Sequence, residues 1–282
     1  MGVRPIFPST KTSVVTGSFD NLRSRQVRFL EEAAKFGRVH VALWSDETAE
    51  AITGSPPKFP EQERHYLLES LRFVHQVSLV RETPEPDALP SLAGIRADTW
   101  IVDAESDTGP KRALAKAKGI GYRVIPSQDL SGFPMPSFVP PAPDSARKRV
   151  IVTGCYDWFH SGHVRFFEEA SALGDLYVVV GHDANIQLLK GEGHPLLPQD
   201  ERLYMVRAVR CVSQAMISTG HGWLDAEPEV ALLQPHFYVV NEDGNKPEKR
   251  RFCRERGIEY VVLKRIPKSG LPRRESTLLR GF

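Results

Sequence analysis

The chain has 282 residues, 41% of them hydrophobic and 26% charged, and its formal net charge is +2. This length favours two domains over one, and the weak net charge argues against a nucleic-acid partner. The three cysteines are far apart and lack metal-ligand spacing, which is typical of reduced thiols in the cytoplasm. The sequence has no apolar run long enough to span a membrane and no signal-peptide core at its start. We therefore expect a cytoplasmic protein without membrane insertion.

Each half of the chain alternates short apolar strands with helical segments, and an apolar strand with a glycine turn leads into the first helix of each half. In the second half the predicted elements are a strand at 150–152, a helix after the glycine turn, a strand at 176–180, a helix opening near 199, strands at 215–218 and 237–240, a charged helix at 248–256 and a strand at 260–263. Such alternation, with glycine at helix ends, predicts an α/β fold with a doubly wound parallel sheet. Ligands of such sheets bind at the carboxyl ends of the strands.

The two halves are copies of one unit. Residues 11–46 align without gaps on residues 148–183 with 15 identities, several times the number expected by chance. One residue later in register, Glu63-Arg64 matches Glu201-Arg202. The sequence therefore predicts two tandem Rossmann-like domains related by internal duplication.

The domain boundaries follow from composition. Five prolines between residues 133 and 143 exclude a helix or a central strand there, so the segment 129–147 is predicted to be a semi-rigid linker. The first domain then covers residues 1–128 and the second covers residues 148–282.

The segment 154–163 reads GCYDWFHSGH and lies between an apolar strand and an amphipathic helix. A glycine turn at a helix N-terminus aims backbone N–H groups at one point, and the two imidazoles add donors for phosphate oxygens. The segment resembles the HxGH motif, in its longer GxFDxxHxGH form, of the nucleotidyltransferase superfamily that includes the cytidylyltransferases and several adenylyltransferases. Its order of residues is most similar to that of the ethanolamine-phosphate cytidylyltransferases.

The resemblance implies catalytic roles for four residues of the second domain. His160 and His163 are expected to stabilise the charge that grows on the α-phosphate during transfer. Lys190 and Arg265 are expected to hold the phosphates. Either arginine of the pair 273–274 is an alternative to Arg265, because an insertion with Pro and Gly lengthens the tail relative to the family pattern.

The resemblance assigns ten further residues to the nucleotide. They lie in the glycine turn, after the strand that ends near residue 240 and in the tail, and they are Thr153, Gly154, Cys155, Tyr156, Asp157, Gly162, Asn241, Asp243, Ser276 and Thr277. No residue is assigned to a metal, and Mg²⁺ is expected to arrive with the nucleoside triphosphate. Arg202 is expected to be a support or interface residue and not a catalytic one, because its Glu-Arg pair persists in the first domain.

The first domain has lost the motif. Arg23 and Gln26 stand at the positions of the two histidines, and Arg25 replaces the glycine between them. A side chain at that glycine position should crowd the approach of phosphate to the backbone. We therefore expect a degenerate partner domain that pairs intramolecularly with the catalytic one.

These features predict nucleotidyl transfer, in which a phosphomonoester attacks the α-phosphate of a nucleoside triphosphate and pyrophosphate leaves. The duplication and the form of the segment 154–163 favour CTP with a phosphorylated small alcohol or amino alcohol, giving a CDP-compound. One alternative is adenylyl transfer from ATP to a sugar phosphate or a similar acceptor. Another is a nucleotide-binding or scaffold protein without turnover.

Overall fold

The computed structural model describes residues 11–81, 85–141 and 146–279. The chain divides into two compact units, with the boundary between Gly132 and Phe133. Each unit contains one five-stranded parallel sheet with helices packed against it.

Unit 1 has five strands and four helices in the described residues. The strands are β1 (Thr12–Gly17), β2 (Arg38–Trp44), β3 (Val74–Val80), β4 (Thr99–Asp103) and β5 (Gly121–Ile125). The helices are α1 (Ser24–Ala34), α2 (Asp46–Thr53), α3 (Glu61–Ser70) and α4 (Gly109–Ala117). The strand order is β3-β2-β1-β4-β5, and all neighbours pair in parallel.

Unit 2 repeats this topology in its described residues. Its strands are β6 (Arg149–Gly154), β7 (Asp175–Val180), β8 (Val212–Ile217), β9 (Phe237–Asn241) and β10 (Glu259–Leu263). Its helices are α5 (Ser161–Ser171), α6 (Asp183–Lys190), α7 (Gln199–Ala208), α8 (Glu227–Leu233) and α9 (Pro247–Glu255). The order β10-β9-β6-β7-β8 is again fully parallel. The expected α/β class with two tandem doubly wound sheets is confirmed.

The sheet of unit 2 is buried on both faces. On one face the β-branched residues of β6 and β7 pack against Phe167 of α5 and Val206 of α7. On the other face Ile151 and Tyr238 pack against Phe252 of α9. The connections reverse direction between β6 and β9, so a crevice opens above the carboxyl ends of these two strands. Ligands of doubly wound sheets bind at such a point.

The predicted strands of the second half are all present, within about three residues of their observed bounds. Two helices were not predicted, α6 and α8, and both are short. The predicted strand at 215–218 begins earlier, at Val212, where it pairs in parallel with β7. Helices of two turns leave little periodic signal in a sequence, which explains the omissions.

The proline-rich segment packs on unit 2 over the part that the structure describes. The ring of Phe133 lies 5.6 Å from that of Tyr204, centroid to centroid. The side-chain amide of Gln214, on edge strand β8, accepts from the N–H of Val139 at 2.9 Å and donates to its carbonyl at 2.6 Å. Pro143 belongs to residues 142–145, which lie outside the described residues. The segment is therefore held against unit 2 by an aromatic contact and by side-chain hydrogen bonds from the edge strand.

In the described part of the chain, the helices are all too short or too polar to cross a lipid bilayer.

Candidate active site

The two histidines of the motif stand at the start of α5, directly after the turn that follows β6. Their rings are stacked, with centroids 4.0 Å apart and planes 23° apart. Phe159 stacks on the outer side of His163 at 5.5 Å, and Tyr156 meets the same ring edge-on. His160 is fully buried. The aromatic residues of the turn therefore fix both imidazoles.

Each histidine caps the helix through Nδ1. Nδ1 of His160 accepts from the N–H of Gly162 at 3.0 Å, and Nδ1 of His163 accepts from the N–H of His160 at 3.4 Å. A neutral imidazole whose Nδ1 accepts must carry its proton on Nε2. Both rings are thereby set as Nε2–H donors. The Nε2 atom of His160 is buried and has no hydrogen-bond partner among the described residues.

Both imidazoles are held neutral. Burial lowers the pKa of His160 to about 3, with smaller contributions from Arg265 and Arg274. Burial also lowers the pKa of His163 well below its usual value, and the neighbouring His160, Arg265 and Lys190 act in the same direction. The pair can therefore donate hydrogen bonds to a phosphate at neutral pH, but it does not supply charge.

Glycine is required at position 162 because of the histidine ring. A Cβ atom there would lie 2.9 Å from Cε1 and 3.0 Å from Nδ1 of His160. The sequence attributed this glycine to the approach of phosphate to the backbone. The structure corrects that reason, since the ring of His160 already occupies the space. Gly154 is required in the same way, because a Cβ there would lie 2.8 Å from Cζ of Tyr156.

A cavity of about 290 Å³ opens above the carboxyl ends of β6 and β9. It brings together eight of the residues expected from the sequence, namely Thr153, Gly154, Cys155, Tyr156, His163, Lys190, Asn241 and Asp243. Burial raises the pKa of the Cys155 thiol, so it is a thiol and not a thiolate. The hydroxyl of Tyr156 is buried without a partner in the described part of the chain. An unpaired buried polar group beside a cavity is a position where a ligand can supply the missing bond.

Lys190 reaches the cavity from the end of a helix. It is the last residue of α6, and Gly191 ends that helix with a φ of 88°. The side chain is exposed and lines the cavity. A cation on a fixed helix end can meet the phosphates of a bound nucleotide.

Asp157 has a structural role, and its contact with nucleotide stays a prediction. Its two carboxylate oxygens accept from the backbone N–H groups of Leu196 and Leu197, at 2.8 and 3.0 Å. Asp20, the matching residue of unit 1, accepts in the same way from two successive backbone N–H groups. Because the contact persists where the histidines are lost, Asp157 holds the loop before α7.

Arg202 is confirmed as a support of the fold by its contacts. It is fully buried. Its guanidinium donates to the carbonyls of Cys155, Leu197 and Gly181 and to the carboxylate of Asp183. Arg64 makes the matching set of bonds in unit 1. These bonds join the turn after β6, the end of β7 and the start of α7.

The tail brings cations to the start of α5. Arg265 donates to the carboxylate of Asp243 at 2.8 Å and to the carbonyl of Arg274 at 3.1 Å. Arg273 is more exposed and lies 3.7 Å from Glu275. Arg265 is therefore fixed beside the histidines and engages Asp243, and Arg274 also contributes positive charge at His160.

The serine-threonine pair lies in a short 3-10 turn, Ser276–Leu279. Ser276 does not line the cavity above β6 and β9. The side chain of Thr277 lies outside the described residues.

Several cavity residues were not anticipated from the sequence. They come from α6, from the loop before α8, from the turn after β9 and from α9, and they are Asn185, Gly222, Trp223, Asp225, Gly244 and Lys249. The sequence shows only that a lysine, Lys111, stands at the matching position of unit 1, and the structure shows that both lysines are buried.

The described residues contain no group of three or more His, Cys, Asp or Glu side chains arranged to hold a metal ion. The two acidic side chains of the cavity are already engaged. Asp243 pairs with Arg265, and Asp225 accepts from the hydroxyl of Ser218 at 2.8 Å. These residues do not fit a magnesium site held by the protein.

Comparison with known proteins matches residues 151–276 to the family model described as cytidylyltransferase-like. The FAD synthase of Methanocella paludicola is 35% identical over 119 residues, which are 41% of this chain and 81% of that protein. The chain belongs to the cytidylyltransferase-like family of nucleotidyltransferases. The FAD synthase of Methanoculleus marisnigri is 37% identical over 122 residues, 42% of this chain and 77% of that protein.

Two further matches are more limited. The bifunctional protein HldE of Pelobacter propionicus is 36% identical over 98 residues, which are 34% of this chain and 20% of that protein. A lipopolysaccharide core biosynthesis protein from Thermoplasma volcanium has a solved structure with 21% identity and a TM-score of 0.36, covering 46% of this chain and all of that one.

Unit 1 keeps the frame of the family site without its imidazoles. A cavity of about 520 Å³ opens at the same edge of its sheet. The side-chain oxygen of Gln26 accepts from the N–H of Arg23 at 2.8 Å, which reproduces the cap made by His163. Arg25 forms an ion pair with Glu105 at 2.6 Å. The helix cap is therefore independent of the chemistry that the histidines bring.

Proposed function

We propose that unit 2 transfers a nucleotidyl group from a nucleoside triphosphate to a phosphomonoester. The observation that carries this proposal is the stacked pair His160 and His163, each with Nδ1 bound to the backbone and Nε2 left as a neutral donor. Donors that are fixed before the reaction stabilise a developing charge without a cost of reorganisation. The pair lies at a helix N-terminus, which also favours an anion.

In this reaction an oxygen of the acceptor phosphate attacks the α-phosphorus, and the bond from that phosphorus to the bridging oxygen breaks. Pyrophosphate leaves with the electron pair of that bond. His160 and His163 donate to oxygens of the α-phosphate, while Lys190 and Arg265 hold the phosphates. Mg²⁺ belongs to the substrate as the counter-ion of the triphosphate.

Two nucleotides are candidates. The relatives named FAD synthase favour ATP, because FAD contains an adenylyl group and the similarity extends over about 120 residues. The resemblance of the segment 154–163 to ethanolamine-phosphate cytidylyltransferases favours CTP, but that segment is short. We propose ATP as the first candidate and CTP as the second.

An assay of pyrophosphate release with ATP or CTP and a panel of phosphomonoesters tests this proposal. We expect one pair of substrates to give release that depends on both. Tight binding of a nucleotide without release, with every acceptor, would indicate a nucleotide-binding protein without turnover.

We also propose that unit 1 is a partner domain without catalytic activity. Its support is the loss of both imidazoles, with Arg23 and Gln26 in their places, in a frame that is otherwise kept. Activity of the full chain should then be unchanged when Gln26 is replaced by alanine.

A further inference from the structure

Two spaces of different chemistry lie at the start of α5. One is a small pocket of about 30 Å³ between Ser161-Gly162 and the segment 264–274, which we call the basic segment. The basic segment contributes five cations to that pocket, Lys264, Arg265, Lys268, Arg273 and Arg274. The larger cavity, which His163 lines, adjoins this pocket and shares Phe166 and Asn241 with it. A volume of about 30 Å³ holds no more than about one water molecule, so it is the positive charge of the basic segment, and not the small pocket itself, that is suited to the departing pyrophosphate.

The in-line geometry of phosphoryl transfer then indicates where the acceptor approaches. The attacking and leaving oxygens lie roughly in line through the α-phosphorus. If pyrophosphate leaves toward the basic segment, the acceptor must approach from the opposite side of the histidines. The part of the larger cavity that shares no lining residue with the small pocket includes Asn185, Gly222, Trp223, Asp225 and Lys249, and we call it the inner lobe.

The inner lobe is built from fixed residues. The side-chain amide of Asn185 accepts from the N–H of Gly222 at 2.7 Å and donates to its carbonyl at 3.2 Å. The hydroxyl of Ser218 donates to the carboxylate of Asp225 at 2.8 Å. The half-exposed indole of Trp223 stands at the rim, with Nζ of Lys246 4.7 Å above its ring centre. The lobe therefore has a defined shape before any ligand binds.

Lys249 is the unusual group of the inner lobe. It is 9% exposed, and its Nζ donates to Oγ1 of Thr153 at 3.2 Å. Thr153 in turn shares a hydrogen bond with the hydroxyl of Tyr238 at 3.0 Å. No carboxylate oxygen lies within ion-pair distance of this ammonium group among the residues that the structure describes, and the carboxylate of Asp225, in the same lobe, acts on it only from further away. A buried cation without a paired anion is costly, and a ligand that accepts hydrogen bonds would lower that cost.

Unit 1 provides the contrast. Lys111, at the matching position, donates to the carbonyl of Ser106 at 2.6 Å and has a carboxylate oxygen of Asp87 at 3.9 Å. Its charge is therefore compensated from within the protein. Lys249 faces a cavity, has one hydroxyl partner and retains two N–H donors for a ligand.

We propose, on the basis of the nucleotidyl transfer proposed above, that the inner lobe binds the end of the acceptor that is distant from its phosphate. Lys249 selects acceptors that present a carbonyl or carboxylate oxygen at that end, and it disfavours those that carry a protonated amine. Phosphorylated amino alcohols are thereby poor acceptors, because their ammonium group would be placed beside a buried ammonium group.

The test compares four acceptors under one set of conditions: FMN, which carries ring carbonyls, 3-phosphoglycerate, which carries a carboxylate, neutral glycerol 3-phosphate and cationic ethanolamine phosphate. The wild-type kcat/KM should be at least about tenfold higher for one of the first two than for ethanolamine phosphate, the effect of one charge-assisted hydrogen bond. In the Lys249→Met variant that preference should disappear. The loss should fall on the KM of the preferred acceptor and leave the KM of the nucleotide unchanged.

The matched control is Lys111→Met, which removes the equivalent buried lysine from unit 1 and should leave the ranking of acceptors unchanged. A wild-type preference for ethanolamine phosphate would overturn the inference. It would also be overturned if Lys249→Met lowered activity equally with all four acceptors, or if it raised the KM of the nucleotide instead. Thermal unfolding of each variant checks that its fold is kept.

Calorimetric binding of the same acceptors in the absence of nucleotide gives the ranking without turnover. A protein that binds the carbonyl or carboxylate acceptor through Lys249 but releases no pyrophosphate would support the lobe and contradict the proposed function. Release of pyrophosphate with ethanolamine phosphate as the best acceptor would support the proposed function and contradict the acceptor preference assigned to the inner lobe.

Discussion

The Nδ1 atom of His163 accepts the backbone N–H of His160, so one imidazole positions the residue that carries the other. The rings then stack with their centroids 4.0 Å apart. In unit 1 Gln26 makes the same bond to Arg23 without an imidazole. The contribution of position 163 to the helix can therefore be separated from its contribution to catalysis.

Replacing His163 by glutamine should remove turnover and keep the fold. The glutamine oxygen can cap the N–H of His160 as Gln26 caps Arg23, but its amide does not reproduce the Nε2–H donor. We expect pyrophosphate release to fall by about a hundredfold or more, the usual effect of losing one fixed donor to transition-state charge. The melting temperature should stay near that of the wild type, whereas His163→Ala should lose both the activity and about 1 kcal/mol of cap energy. Wild-type rates in a folded His163→Gln protein would contradict the catalytic role.

The stability of the protein should fall as the pH drops below about 6.5, the pKa of histidine in an unfolded chain. Burial lowers the pKa of His160 to about 3 and that of His163 well below its usual value. At pH values between 6.5 and the lowered pKa values of the folded protein, the unfolded chain binds protons that the folded chain does not. The free energy of unfolding therefore decreases with falling pH. The slope is about 1.4 kcal/mol per pH unit for each histidine, and it vanishes above pH 6.5 or so.

Denaturant unfolding at pH 7, 6 and 5 measures this effect. A double variant with His160→Asn and His163→Gln keeps two capping side chains that do not titrate. Its unfolding should take up about two protons fewer, so its free energy of unfolding should depend less steeply on pH. His40 and His236 also have lowered pKa values because of burial, and they contribute equally to both proteins. Equal slopes in the two proteins would show that the stacked pair titrates normally.

The motif was predictable from the sequence because its residues are contiguous in one turn and one helix start. The strands were predictable because Val and Ile runs such as 150–152 are typical of buried parallel strands. Lys249 was not predicted. It belongs to a helix that reads PEKRRFCRE, in which a lysine looks solvated, and only the packing of α9 against β9 places it beside Thr153.

The structural contacts of Asp157 could not be predicted from the local sequence. Its place in a motif associated with nucleotides suggested a contact with ligand, but its two oxygens are engaged by backbone N–H groups about 40 residues further along the chain. Nothing in the local sequence indicates that distant loop. The matching Asp20 in the degenerate half was the available sign that the role is structural.

The tail arginine that holds the phosphates should be Arg265. Its guanidinium is fixed by Asp243 and lies close enough to the histidines to lower their pKa values. We expect Arg265→Met to reduce kcat/KM by about a hundredfold and Asp243→Asn by about tenfold or less, because the second change only loosens the arginine. Arg273→Met, on the exposed part of the basic segment, should stay within about threefold of the wild type. Steady-state kinetics with the preferred nucleotide would assign the role to Arg273 if its replacement were the most damaging of the three.

Loss of Arg202 should destabilise the protein because this arginine supports the fold and has no catalytic role. Arg202→Ala leaves the buried carbonyls of Cys155, Gly181 and Leu197 without their donor, and we expect a loss of about 3–5 kcal/mol in the free energy of unfolding. Arg254→Ala on the exposed side of α9 is the control and should change stability by less than about 0.5 kcal/mol. Urea unfolding measures both. A stable, folded Arg202→Ala protein with reduced activity would instead assign this arginine to the substrate.

The proline-rich segment should determine whether unit 2 is stable and monomeric when it is expressed alone. A chain that starts at Phe133 keeps the contact of that ring with Tyr204 and the two hydrogen bonds between Val139 and Gln214 on β8. A chain that starts at Ala146 loses them and exposes apolar surface around Tyr204, which is buried in the full chain, and exposed apolar surface promotes aggregation. We expect the longer fragment to melt at a temperature several degrees higher and to remain monomeric in size-exclusion chromatography, while the shorter one aggregates. If the two fragments were equally stable and monomeric, the segment would be only a tether, and the boundary of the folded unit would lie after residue 145.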